Sequence, residues 1–306
     1  MDVPASAIGR SLWICSVVAV LTSLANSICA DSLDSITVEA QRDKAKLERE
    51  VDRFVASAIV QPRRYGESLW RWKDKVCPLV AGLNKEEGEF VLARLSQIAR
   101  AAGAPLDSDT CKPNLYVIVT PDPDLLLKQW WRREWDLFDG EAGLPVNRFL
   151  ETPRPVRVWY SAGTVGVDGN YSTGLLDASS IRAHPFGELP TSHQVTASRL
   201  KLSTTRNIVS IIVVVDSTKI GDINSGQLAD YVGLVGLAHI NFDKQPGDAP
   251  TILKLFENPK ESRPAEMTAW DRALLHALYS TSQTNVMQIS QMQTAVLRDV
   301  VPKSAN

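Results

Sequence analysis

The chain has 306 residues, of which 44% are apolar and 22% are charged, and its formal net charge at pH 7 is −2. This length is sufficient for one large domain or two modest ones, each with a sizeable core. The slight negative charge argues against nucleic acid as the main partner, because phosphate binding usually requires a basic surplus or a basic stripe.

The first 30 residues follow the pattern of an export signal. Arg10 ends a short n-region, residues 12–21 form an apolar run, and small residues follow as far as Ala30. We expect cleavage after Ala30, with Ser27 as the second choice, and a periplasmic or secreted location. The alternative is an uncleaved anchor, since a stretch of about 20 residues can span a bilayer. In that case the protein contacts the membrane only through its leader.

The cysteines also favour export. Cys15 and Cys29 fall inside the leader, so only Cys77 and Cys111 remain after cleavage. A single pair in an oxidising compartment predicts a disulfide between them. The alternative is two independent buried thiols, because spacing alone says nothing about the distance between two cysteines.

The first half of the chain predicts two helices and two strands. Residues 41–59 have apolar side chains at helical spacing, and residues 68–80 are typical of a strand that enters the core. Asn84 is a predicted N-cap, and Gly103 a predicted C-cap, of the next helix. Residues 115–120 form a second strong strand pattern.

A tryptophan-rich helix is predicted next. Asp122 and Pro123 have the residue types of an N-cap and a first helical position. Trp130, Trp131 and Trp135 then follow on one stripe. Aromatic stripes at helical spacing usually pack in a core, but three close tryptophans also allow a carbohydrate to stack on them.

The middle of the chain is less regular. Residues 156–160 alternate as a strand does, and Ala162-Gly163 and Asp168-Gly169 are turn signals. Residues 176–196 show no clear pattern, and residues 200–215 predict one or two strands.

The central pattern is a strand followed by an apolar helix. Residues 208–215 are β-branched except for Ser210, which predicts an interior strand. Residues 226–239 form a nearly uncharged helix, which suits a core position. Gly233 and Gly236 lack the surroundings of a phosphate loop, so we expect them to allow close packing against a neighbouring helix or the sheet.

The last part of the chain is predicted to be mainly helical. Residues 251–256 predict a short helix or turn. Thr268 and Asp271 form a capping-box pattern at the start of another helix. Residues 283–301 have apolar positions at the spacing of a final packed helix.

The sequence contains no complete catalytic set. It has no H-E-x-x-H and no G-x-S-x-G motif, and its four histidines are His184, His193, His239 and His276. His239 and Asp243 are four residues apart, which makes them weak candidates for metal ligands, because one such pair arises easily by chance. We therefore predict neither a catalytic residue nor a cofactor.

Several segments together resemble a known group of proteins. They are Trp70-Arg71-Trp72, residues 101–104, residues 113–119, and the late segment that begins Met267-Thr268-Ala269-Trp270-Asp271. Over residues 69–279 the chain resembles secreted bacterial proteins of unknown function with a zincin-like, metallopeptidase-type layout. The resemblance implies that catalytic residues would stand at the start of the helix after the buried strand. Gly226, Gln227 and Asp230 occupy those positions, so the active site is degenerate.

We therefore expect an α+β fold, with a mixed β-sheet, packed helices and a helical C-terminal part. The expected organisation is a signal peptide over residues 1–30, an N-terminal helical segment over 31–66, one zincin-like α+β domain over 67–302, and a tail over 303–306. The expected function is non-catalytic binding of a peptide, protein or envelope ligand through a zincin-like cleft.

Two alternatives stay open. One is a peptidase-like, metal-dependent hydrolase whose unorthodox ligands come from His184, His193, His239, Asp230 and Asp243. The other is a carbohydrate-binding protein that uses the tryptophan cluster, which requires at least two of its three rings to be exposed.

Overall fold

A computed structural model describes residues 41–62, 67–133, 138, 141–142, 146–166, 171–172, 191–192, 200–257, 261 and 263–301. The chain divides into two compact units, residues 1–49 and residues 50–306. In the first unit residues 41–49 are helical. The predicted boundaries after residues 30, 66 and 302 lie at residues outside the described part, so they stay predictions.

Among the described residues, eight strands form one mixed sheet. They are β1 (Arg71–Trp72), β2 (Pro78–Ala81), β3 (Leu115–Thr120), β4 (Glu141–Ala142), β5 (Val156–Gly166), β6 (Tyr171–Ser172), β7 (Thr191–Ser192) and β8 (Thr204–Asp216). The order is β2-β3-β8-β5-β6-β7, with β1 also paired to β8 and β4 to β5. Strands β1, β2, β3 and β8 pair in parallel, whereas β5 is antiparallel to β8.

Helices pack on both faces of the sheet and make up the C-terminal part of the second unit. They are α1 (residues 50–58), α2 (Lys85–Ala102), α3 (Pro123–Arg133), α4 (Val146–Glu151), α5 (Ser225–Leu237), a 3-10 helix (Ile252–Phe256), α6 (Ala269–Ser280) and α7 (Gln288–Val300). The predicted caps are confirmed at Asn84, Gly103 and Thr268. The fold is α+β, as the sequence predicts.

Strand β8 is central because both of its faces are covered. On one face Trp159 of β5 and Ile212 of β8 join an apolar cluster that includes Leu127 of α3. Successive residues of a strand point to opposite faces. Accordingly, the next residue, Tyr160, donates a hydrogen bond from its hydroxyl to the carbonyl of Val235 in α5. A β-branched strand buried on both faces agrees with the pattern of residues 208–215.

Helix α5 lies close to its neighbours because it carries two glycines. A Cβ atom at Gly233 would lie 2.5 Å from Cδ1 of Ile98 in α2. A Cβ atom at Gly236 would lie 3.1 Å from a methyl carbon of Leu115 in β3. The predicted packing role of these glycines, against a helix and against the sheet, is confirmed.

The prediction of one strand over residues 68–80 is wrong. The segment contains two short strands, β1 beside β8 and β2 beside β3. The side chain of Asn207 accepts a hydrogen bond from the Lys73 backbone N–H and donates one to Asp74. These bonds anchor the segment between β1 and β2, in which the chain passes from its pairing with β8 to its pairing with β3.

The prediction of a turn at Ala162-Gly163 is also wrong. Both residues lie inside β5, which pairs with β8 over its full length. The register shifts between Ser161 and Ala162, so the irregularity is a β-bulge rather than a chain reversal. The other turn signal, Asp168-Gly169, and the irregular segment 176–196 include residues outside the described part.

The last helix begins five residues later than predicted, at Gln288 rather than Gln283. The Gln283 side chain is buried and donates hydrogen bonds to the carbonyls of Leu69 and Arg206. These bonds hold the segment before α7 against Leu69, which precedes β1, and against Arg206 of β8. Similarly, α5 ends at Leu237, two residues before the predicted end at His239.

The predicted disulfide between Cys77 and Cys111 is confirmed, with the Cα atoms 5.9 Å apart. Cys77 directly precedes β2, and Cys111 lies shortly before β3, its parallel neighbour. Asn114 reinforces this junction, because its side-chain oxygen accepts a hydrogen bond of 2.7 Å from the Cys77 N–H. None of the helices in the described residues is long and apolar enough to cross a membrane.

Candidate functional site

A cavity of about 610 Å³ lies between α2 and α6, beside residues 266 and 267 and the end of α7. Small-molecule and peptide-side-chain sites in proteins commonly have volumes of about 300–1,000 Å³. The cavity residues of α2 recur at helical spacing, and those of α6 do the same, so each helix presents one face.

The lining combines an apolar surface with charged groups. The apolar side chains include those of Ile98, Ala101, Ala102, Met267, Ala273 and Leu275. The polar side chains are those of Arg94, Gln97, Glu266, Arg272, His276 and Asp299. Ligand sites usually have this composition, in which apolar area supports binding and a few polar groups fix the orientation.

Asp230 of α5 holds one wall of the cavity in place. Its side chain is 1% exposed and accepts hydrogen bonds from Arg94 Nε at 2.6 Å and Arg94 Nη2 at 3.2 Å. It also accepts a 2.6 Å bond from the Met267 N–H. The hydrogen bond to Asp230 is the largest cause that raises the pKa of Arg94. Asp230 therefore fixes the Arg94 side chain and the backbone at Met267, and both of these residues line the cavity.

Gln227 braces the same segment from the first turn of α5. Its side chain completes the capping box with Asn224 and donates a 2.8 Å hydrogen bond to the Pro264 carbonyl. Gly226 lies beside it, half-buried, in the same turn. The three residues that the resemblance assigns to a degenerate active site thus lie behind the cavity wall, where Gln227 and Asp230 make structural hydrogen bonds.

Asp271 fixes the start of α6, the helix on the other side of the cavity. This buried carboxylate accepts hydrogen bonds from the Thr251 hydroxyl, the Ile252 N–H, and both the N–H and the hydroxyl of Thr268. Burial raises the pKa of Asp271, and these hydrogen bonds oppose the increase. The network ties the 3-10 helix to the start of α6, the helix that carries Arg272 and His276.

His276 and Asp299 connect α6 to α7 at the rim of the cavity. His276 Nδ1 lies 2.8 Å from Asp299 Oδ2, and Arg298 Nε donates a 3.0 Å hydrogen bond to Asp299 Oδ1. The Arg298 bond is the largest cause of a lowered pKa at Asp299; burial opposes it, and the His276 bond lowers the pKa further. The Arg298 ion pair and the hydrogen bond with His276 therefore keep the Asp299 carboxylate charged.

This lowered pKa predicts how stability depends on pH. A carboxyl group with a lower pKa in the folded state stabilises that state above its unfolded pKa of about 3.9. The stabilisation is lost as the pH falls through the folded pKa. We therefore expect the stability difference between the wild type and Asp299→Asn to be largest near neutral pH and to shrink in acid. Urea unfolding from about pH 7 to about pH 2 measures this; a difference that stays constant over the range contradicts the prediction.

The two weak metal candidates have other contacts. His239 is 4% exposed and lies between the rings of Trp70 and Tyr160, with ring-centroid distances of 4.3 and 4.7 Å. Asp243 forms ion pairs with Arg148 and Arg154. The described residues contain no group of three or more His, Cys, Asp or Glu side chains placed to hold a metal ion. His184 and His193 lie outside the described residues.

The tryptophan cluster is described in part. Trp131 is 41% exposed and has an edge contact with the ring of Phe138. Trp130 is half-buried against the apolar cluster below α3. Trp135 lies outside the described residues, so the exposure of two rings, which carbohydrate stacking requires, stays a prediction.

The charged groups of the cavity were missed by sequence reasoning. Arg94 and Asp230 are 136 residues apart, and no local pattern connects them. Arg272 and His276 carry a weak signal, because residues four apart share one face of a helix. The apolar spacing of this helix predicts which of its faces is buried and carries no information about a ligand on the opposite face.

The chain was also compared with known proteins. No protein family, no curated protein and no solved structure matches it. The zincin-like layout therefore stays an expectation of the sequence, and the function is argued from the geometry of the cavity.

Proposed function

We propose that this chain is an exported, non-catalytic binding protein that takes a short peptide segment in the cavity between α2 and α6. The observation that carries the proposal is the composition of the cavity, in which apolar side chains of both helices lie beside charged groups. A peptide presents the matching combination of apolar side chains, backbone polar groups and terminal charges.

The non-catalytic part of the proposal rests on Gln227 and Asp230. At the positions where a zincin-like layout would carry catalytic groups, both side chains are used in hydrogen bonds that hold residues 264–267. A buried Asp230 bonded to Arg94 is unsuited to act as a base on a ligand in the cavity. In this proposal the chain has a zincin-like layout without the catalytic residues, and α5, the helix that would carry them, supports one wall of the binding cavity.

Export is supported by the leader pattern and by the disulfide. The bond between Cys77 and Cys111 joins the approaches to two neighbouring strands. Structural disulfides of this kind persist in oxidising compartments such as the periplasm or the extracellular space.

A cavity-filling variant tests the binding site. Ala101 is exposed on α2 and lines the cavity, so Ala101→Phe places a ring in the ligand space without entering the core. Equilibrium dialysis against a mixture of N-acetylated tetrapeptides, with free and amidated C-termini in equal amounts, measures retention by mass spectrometry. We expect the wild type to retain a subset of peptides, and the variant to bind that subset at least about tenfold more weakly.

The matched control is Ala93→Phe. Ala93 is also exposed on α2 but does not line the cavity, and both substitutions carry a similar helix-propensity cost of about 0.5 kcal/mol. The control should retain the peptides as the wild type does. The proposal is overturned if the wild type retains no peptide, or if Ala101→Phe and Ala93→Phe lose binding equally.

A further inference from the structure

Arg272 is the charged group of the cavity that is most available to a ligand. An arginine side chain has five N–H donors in a fixed planar fork. Nη1 of Arg272 donates to the Met267 carbonyl, and its closest carboxylate, Glu266, approaches only to 4.0 Å. Within the described part of the chain these contacts leave N–H donors of the guanidinium unused, and the Met267 bond restricts where the fork can lie.

Arg94 differs from Arg272 in this respect. Its Nε and Nη2 atoms are bonded to Asp230, and its Nη1 atom donates to Gln97. The buried carboxylate compensates the charge of Arg94 at close range. Arg94 is therefore a fixed part of the wall, whereas the pair of Arg272 with Glu266 joins two exposed side chains. Such an exposed pair contributes little and can be exchanged for a ligand.

The surroundings of Arg272 define the shape of the matching ligand. His276 lies one helical turn further along α6 and also lines the cavity, and Ala273 and Leu275 provide apolar surface beside them. Asp299 is bonded to His276 Nδ1, so its negative charge is already paired with a donor. A ligand that satisfies this surface has a planar anionic group attached to an apolar body.

We infer that Arg272, with His276 beside it, forms a carboxylate subsite that recognises the free C-terminus of a peptide whose last side chain is apolar. This inference rests on the proposed function and specifies its ligand. A guanidinium fork binds a carboxylate through two parallel hydrogen bonds, which an amide cannot reproduce. A fatty acid shares this chemistry and is the other possible source of the carboxylate.

The test compares free-acid and amidated tetrapeptides on the full chain. We expect the wild type to prefer the acids by about tenfold, and Arg272→Gln to reduce this preference to about one. Arg272→Lys keeps the charge but not the fork, so it should retain only part of the preference. Arg132→Gln, which changes an exposed arginine of α3 outside the cavity, should keep all of it. Urea unfolding of each variant confirms that it is folded.

The outcomes separate this inference from the proposed function. If the wild type retains acids and amides equally, the inference is overturned and the proposed function stands. If it retains neither, the proposed function fails. Decanoate, tested in the same dialysis, identifies the source of the carboxylate: binding of decanoate without any acid tetrapeptide overturns the assignment to a peptide C-terminus.

Discussion

Replacing Cys77 and Cys111 together by alanine is expected to lower the free energy of unfolding by about 3–4 kcal/mol. The disulfide closes a loop with a sequence separation of 34, and it restricts the unfolded chain more than the folded one. The junction is otherwise held by the bonds of Asn114 to the Cys77 backbone, so we expect the variant to fold to the same structure with a lower midpoint of urea unfolding.

Reduction provides the control for this prediction. A thiol reductant should lower the unfolding midpoint of the wild type by a similar amount and leave the double variant unchanged. An unchanged wild-type midpoint after verified reduction would falsify the stabilising role of the bond. Because a stabilisation of this size is a large part of the usual 5–15 kcal/mol of a domain, protein produced in a reducing compartment should also accumulate less well.

The sequence predicts those parts of the fold whose causes are local. The mostly β-branched residues 208–215 favour a buried strand, and the caps at Asn84 and Thr268 act within three residues of themselves. The two glycines of α5 mark close packing because their neighbours in the helix are apolar. In the caps the interaction itself joins residues that are close in the sequence, whereas the strand and the two glycines are predicted from the apolar residues that surround them in the sequence.

Features that depend on distant residues were not predicted. Residues 68–80 form two strands because β1 and β2 pair with different neighbours, and a side chain 133 residues away bonds to Asp74 between them. Likewise, Ala162-Gly163 continues a strand because β8 lies alongside it. The propensity of small residues for turns is weaker than the hydrogen bonds of a complete β ladder.

The candidate site shows the same limit more strongly. Its cavity is formed by side chains of α2, α6 and α7, which meet only after the chain has folded. Polar residues on exposed helix faces are usually solvated, so apart from its spacing of four residues from His276 nothing in the sequence distinguishes Arg272 from other surface arginines. Asp230 was singled out because of its place in a resembled layout, yet its partners, Arg94 and the Met267 N–H, could be identified only in the fold.

The substitution Asp230→Ala is expected to lower the free energy of unfolding by about 2–4 kcal/mol and to weaken peptide binding. It removes one partner of an ion pair and leaves the Met267 N–H without its acceptor. Removing one partner of a fully buried pair costs about 3–5 kcal/mol, but the Arg94 side chain is 28% exposed, so water can solvate part of the freed charge. Urea unfolding measures the stability, and dialysis with the tetrapeptide mixture measures the binding.

Further variants distinguish the role of Asp230 from a general loss of stability. Asp222→Ala removes an exposed carboxylate that pairs with Arg263, and it should cost no more than about 1 kcal/mol without affecting binding. Asp230→Asn keeps the shape and can still accept one hydrogen bond, so it should lie between the wild type and the alanine variant. A double-mutant cycle of Asp230→Ala with Arg94→Met should show coupling, since the charge that the first substitution strands is absent in the second. Independent effects of the two substitutions contradict the assignment of Asp230 as the residue that positions Arg94.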